Sequence, residues 1–129
     1  MAPDAIVVQD TTLLHQVDLL AGLQPAGYLL VNSDRSFDEL GLGEFVGQLR
    51  HDRLASVPAT EIALDRIGRP VPNTVLIAGL AALTGILSLD SVLEAVRGRF
   101  SGAVAEANVL AATQGYDVVR NQAAVAFDA

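Results

Sequence analysis

The longest apolar stretch of the sequence runs from Pro72 to Leu87, and almost none of its residues is polar. Pro72 and Asn73 open it, with Asn73 well placed as an N-cap, and Gly85 stands where a helix would stop. A helix apolar on every side has no face suited to water, so the pattern predicts a core or interface helix enclosed by protein. Ala78, Gly79, Ala81 and Ala82 keep its surface thin, which lets neighbouring backbones come close. The run falls short of the roughly 18 to 20 apolar residues that cross a bilayer, and Gly85 and Ser88 interrupt it.

Upstream the pattern changes. Ile6-Val7-Val8 is a short β-branched run that suits a strand buried on both faces, closed by Gln9-Asp10-Thr11-Thr12. Leu13, Leu14, Val17, Leu20 and Ala21 share one helical face, with His15, Gln16 and Asp18 opposite and Gly22 as the stop. Tyr28-Leu29-Leu30-Val31 is a second strand, ending at Asn32-Ser33. Strand, helix and strand in succession predict parallel pairing with a right-handed crossover. Asp10, Asn32 and Ser33 then lie beyond the carboxyl ends of the strands, where ligands of open α/β sheets sit.

Residues 34–53 are polar and glycine-spaced. Ser36-Phe37-Asp38-Glu39 has the form of a capping box for one short helical turn. Gly41-Leu42-Gly43 fails as a dinucleotide loop, because the third glycine comes one position late and no strand immediately precedes it. Leu54-Ala55-Ser56-Val57 is a third strand. Thr60 is placed to cap a two-turn helix from Glu61 to Ile67, stopped by Gly68. After the central apolar helix, Ser88 starts a helix over 89–100, with Asp90 in its first turn and Arg97 and Arg99 in its last. A final helix is expected over 103–113, ending at Gln114-Gly115. The remainder, from Tyr116 on, lacks a strong period and is expected to be a docking tail over 117–129. No repeat or second domain is visible, so residues 1–129 are expected to form one domain.

Composition narrows the function. Of the 129 residues 51% are hydrophobic but only 5% aromatic, and mean hydropathy is +0.41. The surplus is aliphatic and small, which predicts apolar surface hidden against partners. A net charge of -7 without any basic run argues against nucleic acid or an anionic membrane surface as partner. With no cysteine, the chain itself can neither ligate an iron–sulfur cluster nor form a disulfide. Met1-Ala2-Pro3-Asp4 shows no export signal, so the expected location is cytoplasmic.

Catalytic chemistry is sparse. His15 and His51 have no His or carboxylate at metal-ligand spacing, and no serine sits in a nucleophile-elbow motif. Asp34, Asp38, Glu39 and Glu44 read as a solvated loop surface, and Glu94 and Glu106 as exposed helix positions. The constellation that stands out is Asp10, Asn32, Ser33, Thr60 and Asn73. Each follows a strand or opens a helix, and the topology gathers several at one rim of the sheet. They are either caps of helices and turns or a contact rim for a ligand or partner subunit.

An ordered set of short motifs adds to this reading. Val7-Val8-Gln9-Asp10, Leu20-Ala21-Gly22-Leu23, Gly27 and Val31-Asn32-Ser33 come first. Val57-Pro58-Ala59-Thr60-Glu61-Ile62-Ala63, then Gly68 through Thr74, then Ala103 through Asn108 follow. The set resembles the gamma subunit or domain of 2-oxoacid:ferredoxin oxidoreductases acting on pyruvate or 2-oxoglutarate, from about Asp4 to Tyr116. The resemblance implies a three-layer α/β/α domain with a mainly parallel sheet and no catalytic residues of its own. It implies a complex in which sister subunits hold thiamine diphosphate, Mg2+ and [4Fe-4S] clusters, with ferredoxin as electron acceptor. The product is an acyl-CoA, and the gamma domain is associated with assembly and with the coenzyme A side. On that analogy Asn32, Ser33 and Asn73 become the candidate functional rim. The glycine-rich strand–loop–helix that usually opens such domains is not in this sequence, so the fold is expected to be N-terminally shortened. The alternative is a stand-alone α/β domain binding a small molecule at the carboxyl ends of its strands.

Overall fold

The computed structural model of the chain describes residues 5–9, 27–41 and 53–128. The helix expected over 13–21, Asp10, both histidines, Gly43, Glu44 and Gly47 lie outside the described residues. Strands β1 (Ala5–Val8), β2 (Tyr28–Asn32) and β3 (Leu54–Val57) form a parallel sheet in the order β1-β2-β3. Helices α1 (Ala59–Arg66), α2 (Asn73–Thr84), α3 (Leu89–Arg99) and α4 (Gly102–Asp128) follow. The expected α/β class is the observed one.

The register explains why the strands are apolar throughout. Ile6 pairs with Leu29, Val8 with Val31, and Leu29 with Leu54. These side chains share one face, where Phe37 and Leu40 pack against them. Leu30, Ala55 and Val57 point to the other face, against Ile62 of α1, Val75, Leu76 and Leu83 of α2, and Ala111 and Val119 of α4. A further cluster joins Ala78 and Ala81 of α2 to Val92 and Val96 of α3 and Ala112 of α4. Helix α2 therefore has the sheet on one side, α3 on another and α4 alongside, which accounts for its uniform apolar character. The enclosure is incomplete. Ile77 on the remaining side is 52% exposed, and Ile86 just beyond the helix is 80% exposed.

Several predicted boundaries stand. Gly85 ends α2 at φ +71, a left-handed conformation costly for a side chain, and its N–H reaches the Ala81 carbonyl at 2.9 Å. Ser88 Oγ accepts the Ser91 N–H at 3.1 Å and caps α3. The capping box forms reciprocally: the Ser36 N–H donates to Glu39 Oε1 at 3.1 Å, and the Glu39 N–H to Ser36 Oγ at 3.2 Å.

Three expectations are corrected. Asn73 does not cap α2: it is the first helical residue and makes no side-chain cap bond. Pro72 occupies the cap position with φ -77 and ψ -8, already helical, and its carbonyl accepts the Leu76 N–H at 2.9 Å. Helix α1 begins at Ala59, so Thr60 lies inside the first turn instead of preceding it.

The third correction concerns Gly115, which does not end a helix. Helix α4 runs through it for 27 residues, so Tyr116 through Asp128 continue the helix. Glycine serves a different need here. A Cβ at position 115 would stand 2.5 Å from Val75 Cγ1 and 3.1 Å from the Val75 carbonyl oxygen. The residue is a notch that lets α4 lie directly on the backbone of α2. Further along the same helix, Gln122 pairs with the outer edge of β3: its Oε1 accepts the Ser56 N–H at 3.0 Å, and its Nε2 donates to the Ser56 carbonyl at 2.5 Å. One side-chain amide thus supplies the two bonds that another strand would make.

Replacing Gly115 with alanine sets two effects against each other. Helix propensity gains about 1 kcal/mol, whereas forcing a methyl into a filled contact costs about 1–3 kcal/mol. Backbone as well as side chain must yield at Val75, so overpacking wins. Gly115→Ala is expected to lower the urea-denaturation free energy by up to about 2 kcal/mol, and to do so less in a Val75→Ala background.

Candidate functional site

Chain direction in a parallel sheet puts all strand exits on one side, and the structure opens a polar cleft of about 660 Å³ there. Asn32, Ser33 and Thr60 line it together, as the sequence expected. Asn73 does not. It lies on a separate groove with Val7, Leu76 and Ile77, although Gln9 borders both. Asp10 lies outside the described residues.

Asn32, the last residue of β2, organises the cleft. Its Nδ2 donates to the Gln9 carbonyl at 3.0 Å and to Thr60 Oγ1 at 2.9 Å. Its Oδ1 accepts the N–H groups of Ala59 at 2.9 Å and Thr60 at 3.3 Å. Those are the first two donors of α1, whose own cap residue, Pro58, has no side chain able to accept them. The cap comes instead from the neighbouring strand. Asn32 thus ties the chain leaving β1, the end of β2 and the start of α1 in one knot. Ser33 extends it: its N–H donates to the Val57 carbonyl at 3.0 Å, and its Oγ accepts the Arg35 N–H at 2.9 Å. Among the described residues no buried side-chain polar atom lacks a partner.

Charge at the rim comes from residues that the sequence reading left as solvated surface or did not single out. Asp34, Arg35 and Glu61 line the cleft, with Pro58, Pro70 and Pro72 as stiff walls. Only their position directly after a strand or in the first turn of a helix marked them beforehand. The Asp34 carboxylate beside Glu61 raises the Glu61 carboxyl above its ordinary value of 4.5, with Asp65 adding to the repulsion. Glu39 moves the other way, lowered by the hydrogen bonds from the Ser36 backbone and side chain.

Among the described residues that line the cleft, the carboxylates of Asp34 and Glu61 stand with one guanidinium, that of Arg35, a balance that disfavours a polyanion. Among the described residues no three His, Cys, Asp or Glu side chains are grouped to hold a metal ion, and without cysteine the chain has no thiolate for a cluster. No helix among the described residues is long and apolar enough to cross a membrane.

Comparison with known proteins places this geometry in a family. The family model described as pyruvate ferredoxin/flavodoxin oxidoreductase matches residues 1–118. The common gamma subunit of the pyruvate/ketoisovalerate oxidoreductases of Thermococcus kodakarensis is 40% identical over 115 residues, covering 89% of this chain and 60% of the relative. Pyruvate synthase subunit PorC of Methanocaldococcus jannaschii is 36% identical over 115 residues, covering 89% and 59%. The crystal structure of the pyruvate oxidoreductase subunit PORC of Thermotoga maritima superimposes with a TM-score of 0.76 at 33% identity, over 90% of this chain and 63% of that one. The chain belongs to the pyruvate ferredoxin/flavodoxin oxidoreductase family and is similar to its gamma subunits. It spans about 60% of the length of the curated relatives it matches.

Three variants probe the cleft. Asn32→Ala removes the remote cap and both donated bonds, with an expected loss of about 2 kcal/mol in denaturation free energy. Asn32→Asp keeps the cap acceptor but turns a carboxylate oxygen toward the Gln9 carbonyl, so its loss at pH 7 should ease in acid, where the protonated carboxyl can donate. Glu61 tests the electrostatics. A carboxyl raised in the folded state favours folding below its unfolded pKa, and that contribution is lost as pH rises through the folded value. Glu61→Gln should therefore raise the thermal midpoint at pH 7, and the difference from the parent should vanish once the solution is acidic enough to protonate Glu61.

Proposed function

We propose that the chain is a gamma-type, non-catalytic component of a 2-oxoacid:ferredoxin oxidoreductase complex. The complex would oxidatively decarboxylate a 2-oxoacid to an acyl-CoA and pass electrons to ferredoxin, or run the reverse. The observation that carries this reading is the family match over residues 1–118, shared with relatives named as gamma and PorC subunits. The chemistry of the chain supports the division of labour. The described lining of its cleft is held by structural hydrogen bonds and carries more acid than base, which supports assigning thiamine diphosphate, Mg2+, [4Fe-4S] clusters and coenzyme A to partner chains. Asn32, Ser33 and Thr60 then act as a rigid rim that holds the strand exits in a fixed shape for a neighbouring subunit. Asp10 and Asn73 stay in the proposal as flanks of that rim. Pyruvate or 2-oxoglutarate is the substrate class, and the cytoplasm the expected setting.

Affinity purification of the tagged chain from its host under mild conditions tests this. Larger thiamine-binding and cluster-bearing chains should accompany it, and the eluate should reduce ferredoxin in the presence of a 2-oxoacid and coenzyme A. Recovery of the chain alone, stabilised by coenzyme A or a nucleotide without partners, overturns the proposal in favour of an autonomous binding domain.

A further inference from the structure

Alternate residues of a strand turn their N–H and C=O groups to opposite sides, so those of β3 that do not meet β2 face outward. On that outward side Ser56 meets helix α4: Gln122 Oε1 accepts its N–H, and Gln122 Nε2 donates to its carbonyl. Both groups are taken by a planar amide that presents acceptor and donor side by side, as a paired strand residue does. Val119, buried about one turn earlier on the same helix, fixes the reach of that amide. Gln122 lies beyond residues 1–118, where the family model matches, so the family pattern does not account for the clasp.

The strand behind the clasp suits pairing with itself. Within Leu54-Ala55-Ser56-Val57 there is neither a charge nor a proline, the devices that ordinarily keep sheet edges apart. The period of two turns Leu54 outward together with Ser56. When two copies of β3 meet antiparallel about a twofold axis through Ala55, Leu54 of each copy lies opposite Ser56 of the other. These are the residues whose outward N–H and C=O groups exchange bonds in closely spaced pairs. One patch then serves both copies, which is the condition for a closed twofold contact. The Ser56 backbone cannot bond Gln122 and a second strand at once.

We infer that Gln122 is an edge guard: its amide occupies Ser56 in place of a strand and keeps β3 of one copy from pairing with β3 of another. The role is separate from the assembly reading above, because it concerns contacts between copies of this chain, whatever other subunits accompany them.

The test measures the native mass of the full chain, in the state in which it is purified, by sedimentation. Gln122→Leu keeps a long, helix-favouring side chain and removes both bonds. The species that carries it is expected to have about twice the parent's mass, with two copies joined. Gln122→Ala, which adds no bulk, is expected to associate likewise. Ser56→Pro removes the outward N–H and leaves the ladder to β2, so adding it to either variant should restore the parent's mass. Gln122→Lys replaces the clasp with a charge, which should keep the copies apart while the Ser56 amide exchanges about tenfold faster than in the parent. Leucine and alanine variants that stay folded at the parent's mass with a fast Ser56 amide overturn the inference. Association that survives Ser56→Pro also overturns it, since the contact then lies elsewhere. Loss of the folded chain in both variants, with no doubled species, overturns it in favour of a purely structural tie.

Discussion

The close approach of backbones around α2 is the constraint on which the fold depends. Three elements converge on this helix, and they fit because side chains have been pared away where they meet. Gly79 sits where Val119 of α4 and Leu30 of β2 both reach in, with a Cβ at that position only 3.1 Å from Val119 Cγ2. Ala78 and Ala81 do the same toward α3, and Gly115 accepts Val75 from the other direction. Packing of this kind exchanges bulk for contact. Many atom pairs at optimal separation take the place of a few large side chains, which is why a core with so few aromatic residues remains dense.

The polar organisation follows from the same geometry. Once α1 lies on the sheet beside α2, its first donors point toward the strand exits, and Pro58 cannot satisfy them. Asn32 is the side chain close enough to do so, and its remaining hydrogens are used on Gln9 and Thr60. The cleft is thus a by-product of parallel topology whose walls are fixed by internal bonds. Walls of that kind are suited to holding a shape against a neighbour more than to proton or electron chemistry.

Much of this was legible in the sequence because it is local. The β-branched runs of the strands, the Ser88 cap, the Gly85 stop and the Ser36–Glu39 box each depend on residues within a few positions of one another, and each appears where expected. The misreadings share a cause: a role settled by something the local pattern does not show. Gly115 reads as a helix breaker until Val75 is placed against it, forty positions earlier. Thr60 and Asn73 read as caps because nothing in the pattern shows that Asn32 and Pro72 already hold those roles. Asn32, Ser33 and Thr60 were grouped correctly from topology, yet Asp34, Arg35 and Glu61 at the same rim were not, since charged residues after a strand usually signify only solvent. Gln122 carried no signal at all, being sixty-six positions from the strand residue it touches.

Helix α4, 27 residues and so about 40 Å long, also works as a ruler. Gly115 seats it on α2, Val119 fills the core, and Gln122 reaches the sheet edge, all from one side of the rod. Each residue turns the helix by about 100°, so one inserted or deleted between the notch and the amide would swing the second away from its target. Away from Val119 and its core-facing neighbours, the spelling of that short interval is free to drift over time, but its count is locked.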